Sequence, residues 1–389
     1  YDVYFDESSK NIYLILDYVI SEINKINFEE TDTISNLCEI YTNELLQWAN
    51  DAEKNAYFFT PRPICKFIIS VVKPNFKNNE KVFDPASGLG GFLLESYNYM
   101  KGDVGPVEDL KKLRYESLIG QDKNPEFFLC GVVNMMLNGI DTPNMFNINS
   151  LVRPTKEILP EGEYEIVMSN PSYNEKESKS IAKNNDIETG DSALHFLLLA
   201  MEELKDKGRG AFILPNGPLF GHGKADLVKN KLLDGFNLHT IVKLPSSIFK
   251  PRTSIDTNIL FFEKGTPTKE IWFYDMPLPQ RLEDESKKKK NLSFSKGKPV
   301  LDEDFTDVLK WFDKKEDNKY AWKVSVDELR TTNDKGKIEV NLDIKNPSDV
   351  EPTIDLSPHE LIQQIISDEK KTLGLLEDVE NLINTEIPK

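Results

Sequence analysis

Asn170, Pro171 and Tyr173 are the residues of this chain best suited to chemistry by type and spacing. They follow Glu165-Ile166-Val167-Met168-Ser169, a run of strand character that stops abruptly at an amide, a proline and, after Ser172, an aromatic ring. Such a group can grip a flat ring that bears an amine. An exocyclic aromatic amine is a poor nucleophile because its lone pair is delocalised into the ring. Two acceptors aimed at its hydrogens, the Asn170 side-chain oxygen and the Pro171 carbonyl, draw it towards tetrahedral geometry without a strong base. Tyr173 stacks on the ring face, a contact worth ~1–3 kcal/mol per base. A base must leave its duplex to reach such a pocket, at a cost of a few kcal/mol of unstacking. A plain strand followed by an Asn-Pro turn fits these four residues equally well, so the rest of the chain has to decide.

The elements that would position this group lie mostly upstream. Lys81-Val82-Phe83-Asp84-Pro85-Ala86-Ser87-Gly88-Leu89-Gly90-Gly91-Phe92-Leu93 reads as strand, glycine-rich turn and helix start. Such a turn lets backbone approach a ligand at the carboxyl end of a parallel strand, where open α/β sheets bind cofactors. The glycines do not make a dinucleotide fingerprint, because Leu93 stands where a third glycine is needed, and this disfavours a nicotinamide enzyme. Asp84 instead sits where a carboxylate can meet the cationic end of a bound cofactor. A second strand, Leu118 to Gln121, ends at Asp122 before a helix expected over 125–137, so Asp122 can either accept both ribose hydroxyls or cap the helix. Asn149 follows a third strand edge, within reach of an adenine. Further upstream, Thr60 is expected to cap a helix with Pro61 at its first position that runs to Val72. His195, in the stretch Gly190 to Phe196 that is expected to open a helix running to Leu204, is read as a packing residue. Strands alternating with helices across 80–265 predict one doubly wound, mostly parallel α/β sheet.

Composition narrows the class. At 389 residues with 39% hydrophobic content, the chain can bury a sizeable core in two or three domains. No apolar run nears the ~20 residues of a membrane span and no signal-peptide pattern opens the chain, so a cytoplasmic protein without membrane contact is expected. Cys38, Cys65 and Cys130 are far apart and lack a His cluster, which argues against disulfides and a metal site. Lys+Arg 48 against Asp+Glu 65 leaves −17, the wrong sign for gripping DNA phosphates unaided. The Lys287–Lys290 run is either a phosphate contact or a solvated charge run.

Taken in order, Tyr57-Phe58-Phe59-Thr60-Pro61, Asp84-Pro85-Ala86-Ser87-Gly88-Leu89-Gly90-Gly91, Gly120-Gln121-Asp122, Asn170-Pro171-Ser172-Tyr173, Leu214-Pro215-Asn216-Gly217 and Asn341-Leu342-Asp343-Ile344-Lys345-Asn346-Pro347 closely resemble the modification (M) subunit of type I restriction–modification systems. These are N6-adenine DNA methyltransferases, and the likeness runs from about Ala56 to the C-terminus. The resemblance implies a Rossmann-like S-adenosylmethionine-dependent methyltransferase fold with an N-terminal helical segment and a C-terminal helical tail. It implies Phe59, Thr60, Pro61, Asp84, Gly88 and Gly90 around the methionine end of the cofactor, Asp122 at the ribose and Asn149 at the adenine. Asn170, Pro171 and Tyr173 would hold the flipped target adenine. It also implies partners: duplex DNA, a specificity (S) subunit that chooses the target and is docked partly through C-terminal helices, a second M subunit, and a restriction (R) subunit in the full complex.

The domains expected are an N-terminal helical region (1–56), a methyltransferase domain (57–275), an irregular or mixed extension (276–350) and a C-terminal docking helix (351–389). Ser87 and Leu89 replace the Cys and Thr usual in the glycine turn. Ser172 replaces a second proline of the (Asn/Asp)-Pro-Pro-(Tyr/Phe) motif, which removes a residue that fixes φ and predicts reduced but measurable turnover. Two other functions stay open on the sequence: a protein glutamine N-methyltransferase, since the same motif grips any planar NH2, and a non-catalytic cofactor-binding scaffold. Neither a phosphate-cradling Gly-rich loop with Lys-Ser/Thr nor a nuclease cluster is evident, so ATP hydrolysis and cleavage are expected of another subunit.

Overall fold

The structure, a computed structural model, describes residues 17–27, 60–152, 163–172, 189–250, 253–283 and 293–349 except Lys296, with single positions elsewhere. Phe59, Tyr173 and the Lys287–Lys290 run lie outside the described residues, as do most of 1–56 and 351–389. Residues 1–346 form one compact unit and residues 347–389 a second. In the second, the described positions between 362 and 376 are helical, with Leu373 and Leu376 exposed.

In the first unit, β1 (Val82–Asp84), β2 (Leu118–Gln121), β3 (Asn144–Phe146), β4 (Tyr164–Ser169), β5 (Leu204–Pro215), β6 (Phe236–Lys243), β7 (Thr257–Lys264), β8 (Glu270–Asp275) and β9 (Ala321–Ser325) join in a 9-stranded sheet of order β3-β2-β1-β4-β5-β7-β6-β8-β9. From β3 to β5 every neighbouring pair is parallel, and β6 pairs parallel with β8. Only β7 and β9 run against the rest. The mostly parallel sheet expected from the β/α alternation is therefore present. The extension expected over 276–350 contributes a strand to this sheet. Its β9 pairs with β8 and closes the sheet edge, and Trp322 stacks on Phe273 with ring centroids 5.5 Å apart.

Parallel strands buried on both faces need apolar side chains on both. Ile166 and Met168 of β4, with Ala211 and Ile213 of β5, join one cluster, while Tyr164, Val167, Phe212 and Leu214 join the other. Helices α1 (Arg62–Val72), α2 (Gly91–Met100), α3 (Val107–Glu116), α4 (Pro125–Leu137) and α7 (Thr306–Lys314) supply the first face through Phe67, Leu93, Leu113, Met135 and Trp311. Helices α5 (Ser192–Glu203) and α6 (Lys224–Gly235) supply the second through Leu198 and Leu232. The chain moves outward from β1 to β3 and then returns to place β4 on the other side of β1. That reversal leaves a crevice beyond the carboxyl ends of β1 and β4, the place where such sheets bind ligands. Asp84 ends β1, and Asn170 follows the last residue of β4.

Candidate active site

A cleft lies in this crevice, open to solvent at its mouth. Thr60, Asp84, Gly88, Asp122, Asn149 and Asn170 all line it, so residues drawn from five separate stretches of sequence converge there. Pro61, Gly90 and Pro171 are chain neighbours of lining residues.

Asp84 is 1% exposed. Its Oδ1 accepts from the Ala86 N–H (3.1 Å) and from the Ser169 hydroxyl (3.0 Å), and neither of these bonds engages Oδ2. Burial is the main influence on its acidity and pushes it up to about 7, against the two hydrogen bonds and with a smaller upward push from Asp122. A buried carboxylate on the wall of a cleft suits a cationic ligand, whose charge would offset the desolvation. The sign of the pH effect follows. Because the folded protein holds this proton more tightly than the unfolded chain does, the stabilisation is complete below pH ~4 and is lost as pH rises through about 7. Thermal denaturation without cofactor should show stability falling from pH 5 to pH 8, and Asp84→Asn should flatten the profile. An unchanged slope in the variant would mean that another group controls it.

The glycine turn is held by the next strand. The Gly88 N–H donates to Asp122 Oδ2 (2.8 Å) and the Ser87 N–H to the Gln121 carbonyl (2.9 Å). Gly88 and Gly90 have φ of 50° and 75°, in the region L side chains seldom adopt. Asp122 Oδ1 accepts from the Asn124 N–H (2.8 Å). The cap of α4 is Asn124, which accepts from the Glu126 and Phe127 N–H groups. Capping therefore falls to Asn124, two positions on, and the Asp122 carboxylate braces the glycine turn from the cleft wall. Asn149 Oδ1 accepts from the Leu151 N–H (3.0 Å), which shapes the loop after β3.

Asn170, 5% exposed, donates from Nδ2 to Thr60 Oγ1 (2.9 Å). This orients the amide so that its NH2 end faces Thr60, and Oδ1 is the accepting end, suited to a substrate amine. It also corrects the expected helix start. Pro61 is the N-cap of α1, no side chain caps it, and Pro63 lies in the first turn. Thr60 does not cap the helix, because its hydroxyl serves Asn170. His195 packs as expected: it is fully buried, with Nε2 2.8 Å from the Thr189 carbonyl.

Several lining or bracing residues escaped the sequence reading. Phe127 and Phe196 are apolar positions of α4 and α5 that face the cleft, and no local pattern separates them from core residues. Ser169 precedes Asn170 directly, but its bond reaches Asp84, 85 positions away. Among the described residues, no group of three or more His, Cys, Asp or Glu could hold a metal.

The class that this fold defines is a Rossmann-like, S-adenosylmethionine-type methyltransferase, with Asn170 lining its cleft. The N-6 DNA Methylase family model matches residues 32–352, and the chain belongs to that family. Its activity class is accordingly that of an adenine-specific DNA methyltransferase. The methylase subunit of the type I restriction enzyme EcoEI from Escherichia coli is 36% identical over 361 residues, which cover 90% of this chain and 69% of that subunit. A solved modification subunit from Vibrio vulnificus YJ016 superposes with TM-score 0.76 at 33% identity, covering 86% of this chain and 69% of that one. A chain from a structure concerned with assembly of the type I R-M system gives TM-score 0.73 at 32% identity, covering 95% and 75%.

Proposed function

We propose that the chain is the modification subunit of a type I restriction–modification system and transfers a methyl group from S-adenosylmethionine to the N6 amine of an adenine flipped out of DNA. The observation that carries this reading is the Asn170–Thr60 bond, which orients the Asn170 amide in the same cleft that holds Asp84, the glycine turn and Asp122. The residues present suit the cofactor. Buried Asp84 would take its cationic end, Gly88 and Gly90 would let it lie against backbone, and Asp122 and Asn149 would face its ribose and adenine. When bound, S-adenosylmethionine supplies the electrophilic methyl group.

The chain supplies geometry and acceptors. Asn170 Oδ1 and the Pro171 carbonyl accept the two N–H bonds of the adenine amine, which localises the lone pair on nitrogen and relieves the positive charge that grows there during transfer. Tyr173 stacks on the base and holds it extrahelical. No strong base is needed on this route, since the N–H proton departs only after nitrogen has become cationic, when it is acidic enough to pass to solvent water.

The target sequence would be chosen by a specificity subunit, with a second M subunit completing the DNA clamp and a restriction subunit joining in the full complex. An overall charge of −17 supports reliance on such partners for the DNA grip. The N-terminal helical region (1–56) and the C-terminal helix (351–389) are the segments proposed to meet DNA and partner. The test is transfer of labelled methyl to genomic DNA by the chain alone and with co-purifying partners, read as N6-methyladenine by mass spectrometry. Label with partners present is the expected result. Cofactor binding without transfer under either condition would overturn the reading in favour of a non-catalytic scaffold.

A further inference from the structure

The Asn170-Pro171-Ser172 turn is pinned from two sides. At one end, the Asn170 amide donates to Thr60. At the other, the hydroxyl of Ser192 donates to the carbonyl of Ser172, at 3.1 Å. Ser192 is 1% exposed and is the first residue of α5. It stands on a platform that is itself fixed. Asp191 accepts from the Ala193 N–H (2.9 Å), the Asp191 N–H donates to the Thr189 hydroxyl (3.2 Å), and buried His195 meets the Thr189 carbonyl. Ser172 lines the cleft beside Asn170.

We infer that Ser192 is a positioning residue for methyl transfer, and that its hydroxyl does the work of the ring constraint missing at Ser172. The inference rests on the reading of Asn170 and Pro171 as the amine clamp. Pro171 fixes its own φ, but the direction of its carbonyl depends on ψ and therefore on where the following peptide plane lies. A proline at position 172 would restrict that plane through its ring. Ser172 does not, and without a further restraint the second acceptor of the clamp would sample directions that miss the amine. The Ser192 hydroxyl restrains the Ser172 carbonyl, one peptide plane beyond the Pro171 carbonyl, and so limits from the far side how far the Pro171–Ser172 plane can turn. Preorganised acceptors of this kind lose effect when they must reorganise during the reaction.

The test is a two-by-two set, Ser192→Ala and Ser172→Pro singly and together, in the full chain with its partners. Four quantities are read: kcat, KM for DNA, cofactor Kd, and hydrogen exchange of the peptide carrying Asn170 to Ser172. Losing one neutral hydrogen bond should lower kcat about 3–10-fold, with cofactor Kd and KM within about twofold. Exchange in the turn should rise. In the chain that also carries Ser172→Pro, the ring replaces the pin, so the loss on Ser192→Ala should shrink below about twofold and exchange should return towards the parent value. Equal losses in both backgrounds, no loss in either, or a loss of cofactor affinity that tracks kcat would each overturn the inference. Hydrogen exchange separates this failure from that of the functional reading. If the parent transfers no methyl group, that reading falls, and exchange alone still confirms or overturns the pin.

Discussion

Asn170→Ala should lower methyl transfer by about 10³-fold while leaving cofactor affinity within about threefold. Removing one preorganised group that meets developing charge typically costs ~10²–10³ in kcat. The effect belongs at the upper end here, because Asn170 is one of only two acceptors proposed to hold the amine and is 5% exposed. Water does not replace a buried acceptor well. Cofactor affinity is largely spared because Asp84, the glycine turn and Asp122 are braced by Ser169, Ala86 and Asn124, whereas Thr60, also expected at the cofactor, is bonded to Asn170 and accounts for the small loss allowed. Equilibrium titration with S-adenosylmethionine beside single-turnover methylation separates the two quantities. Parallel loss of both would show that Asn170 belongs to the cofactor site and that the amine clamp is misplaced. Thr60→Val is the companion variant: it keeps the shape and removes the acceptor that orients the amide, so an intermediate loss in kcat is expected.

Gly131→Ala should weaken cofactor binding by about 10²-fold, although Gly131 was not among the expected site residues. It lies in α4, and a Cβ there would sit 2.5 Å from the Gly88 carbonyl oxygen and 2.8 Å from the Met145 methyl. The methyl can swing away, but the carbonyl belongs to the glycine turn. Two opposing terms decide the sign on stability. Alanine gains ~1 kcal/mol over glycine in a helix interior, whereas overpacking a tight contact costs ~1–3 kcal/mol. The net change in Tm should be small or downward, while the turn itself is displaced. Displacements near 1 Å in a site can cost ~10²-fold. Calorimetric titration reads the affinity directly. Unchanged affinity would mean that α4 shifts as a body and that the turn does not depend on its packing.

Much of the fold was legible because it is written in local pattern. The helix expected over 125–137 has those bounds, since Pro125 and the apolar run to Leu137 are contiguous. Strands β1, β2 and β4 also lie where apolar runs meet turn residues. The reading failed where a residue's partner is distant. Thr60 before Pro61 looks like a helix cap by every local criterion, yet its hydroxyl is bonded to Asn170, 110 positions on. A short strand such as β9, placed among lysines and acids, has too little pattern to separate it from irregular chain until β8 offers it an edge.

The sequence by itself determined the class of chemistry and the order of the parts: an amide and proline at a strand end, a glycine turn after an acidic strand end, and an alternation that makes a mostly parallel sheet. Those features are set by residue type and by spacing within a few positions. The tertiary structure decided which way the Asn170 amide points, which carboxylate is buried at the cleft wall, why Gly131 must lack a side chain, and which hydroxyl restrains Ser172. Each of these depends on a hydrogen bond or a close approach between groups 20 to 110 positions apart, or on helix packing against a turn. Chain folding alone brings such groups together, so no local pattern can encode them.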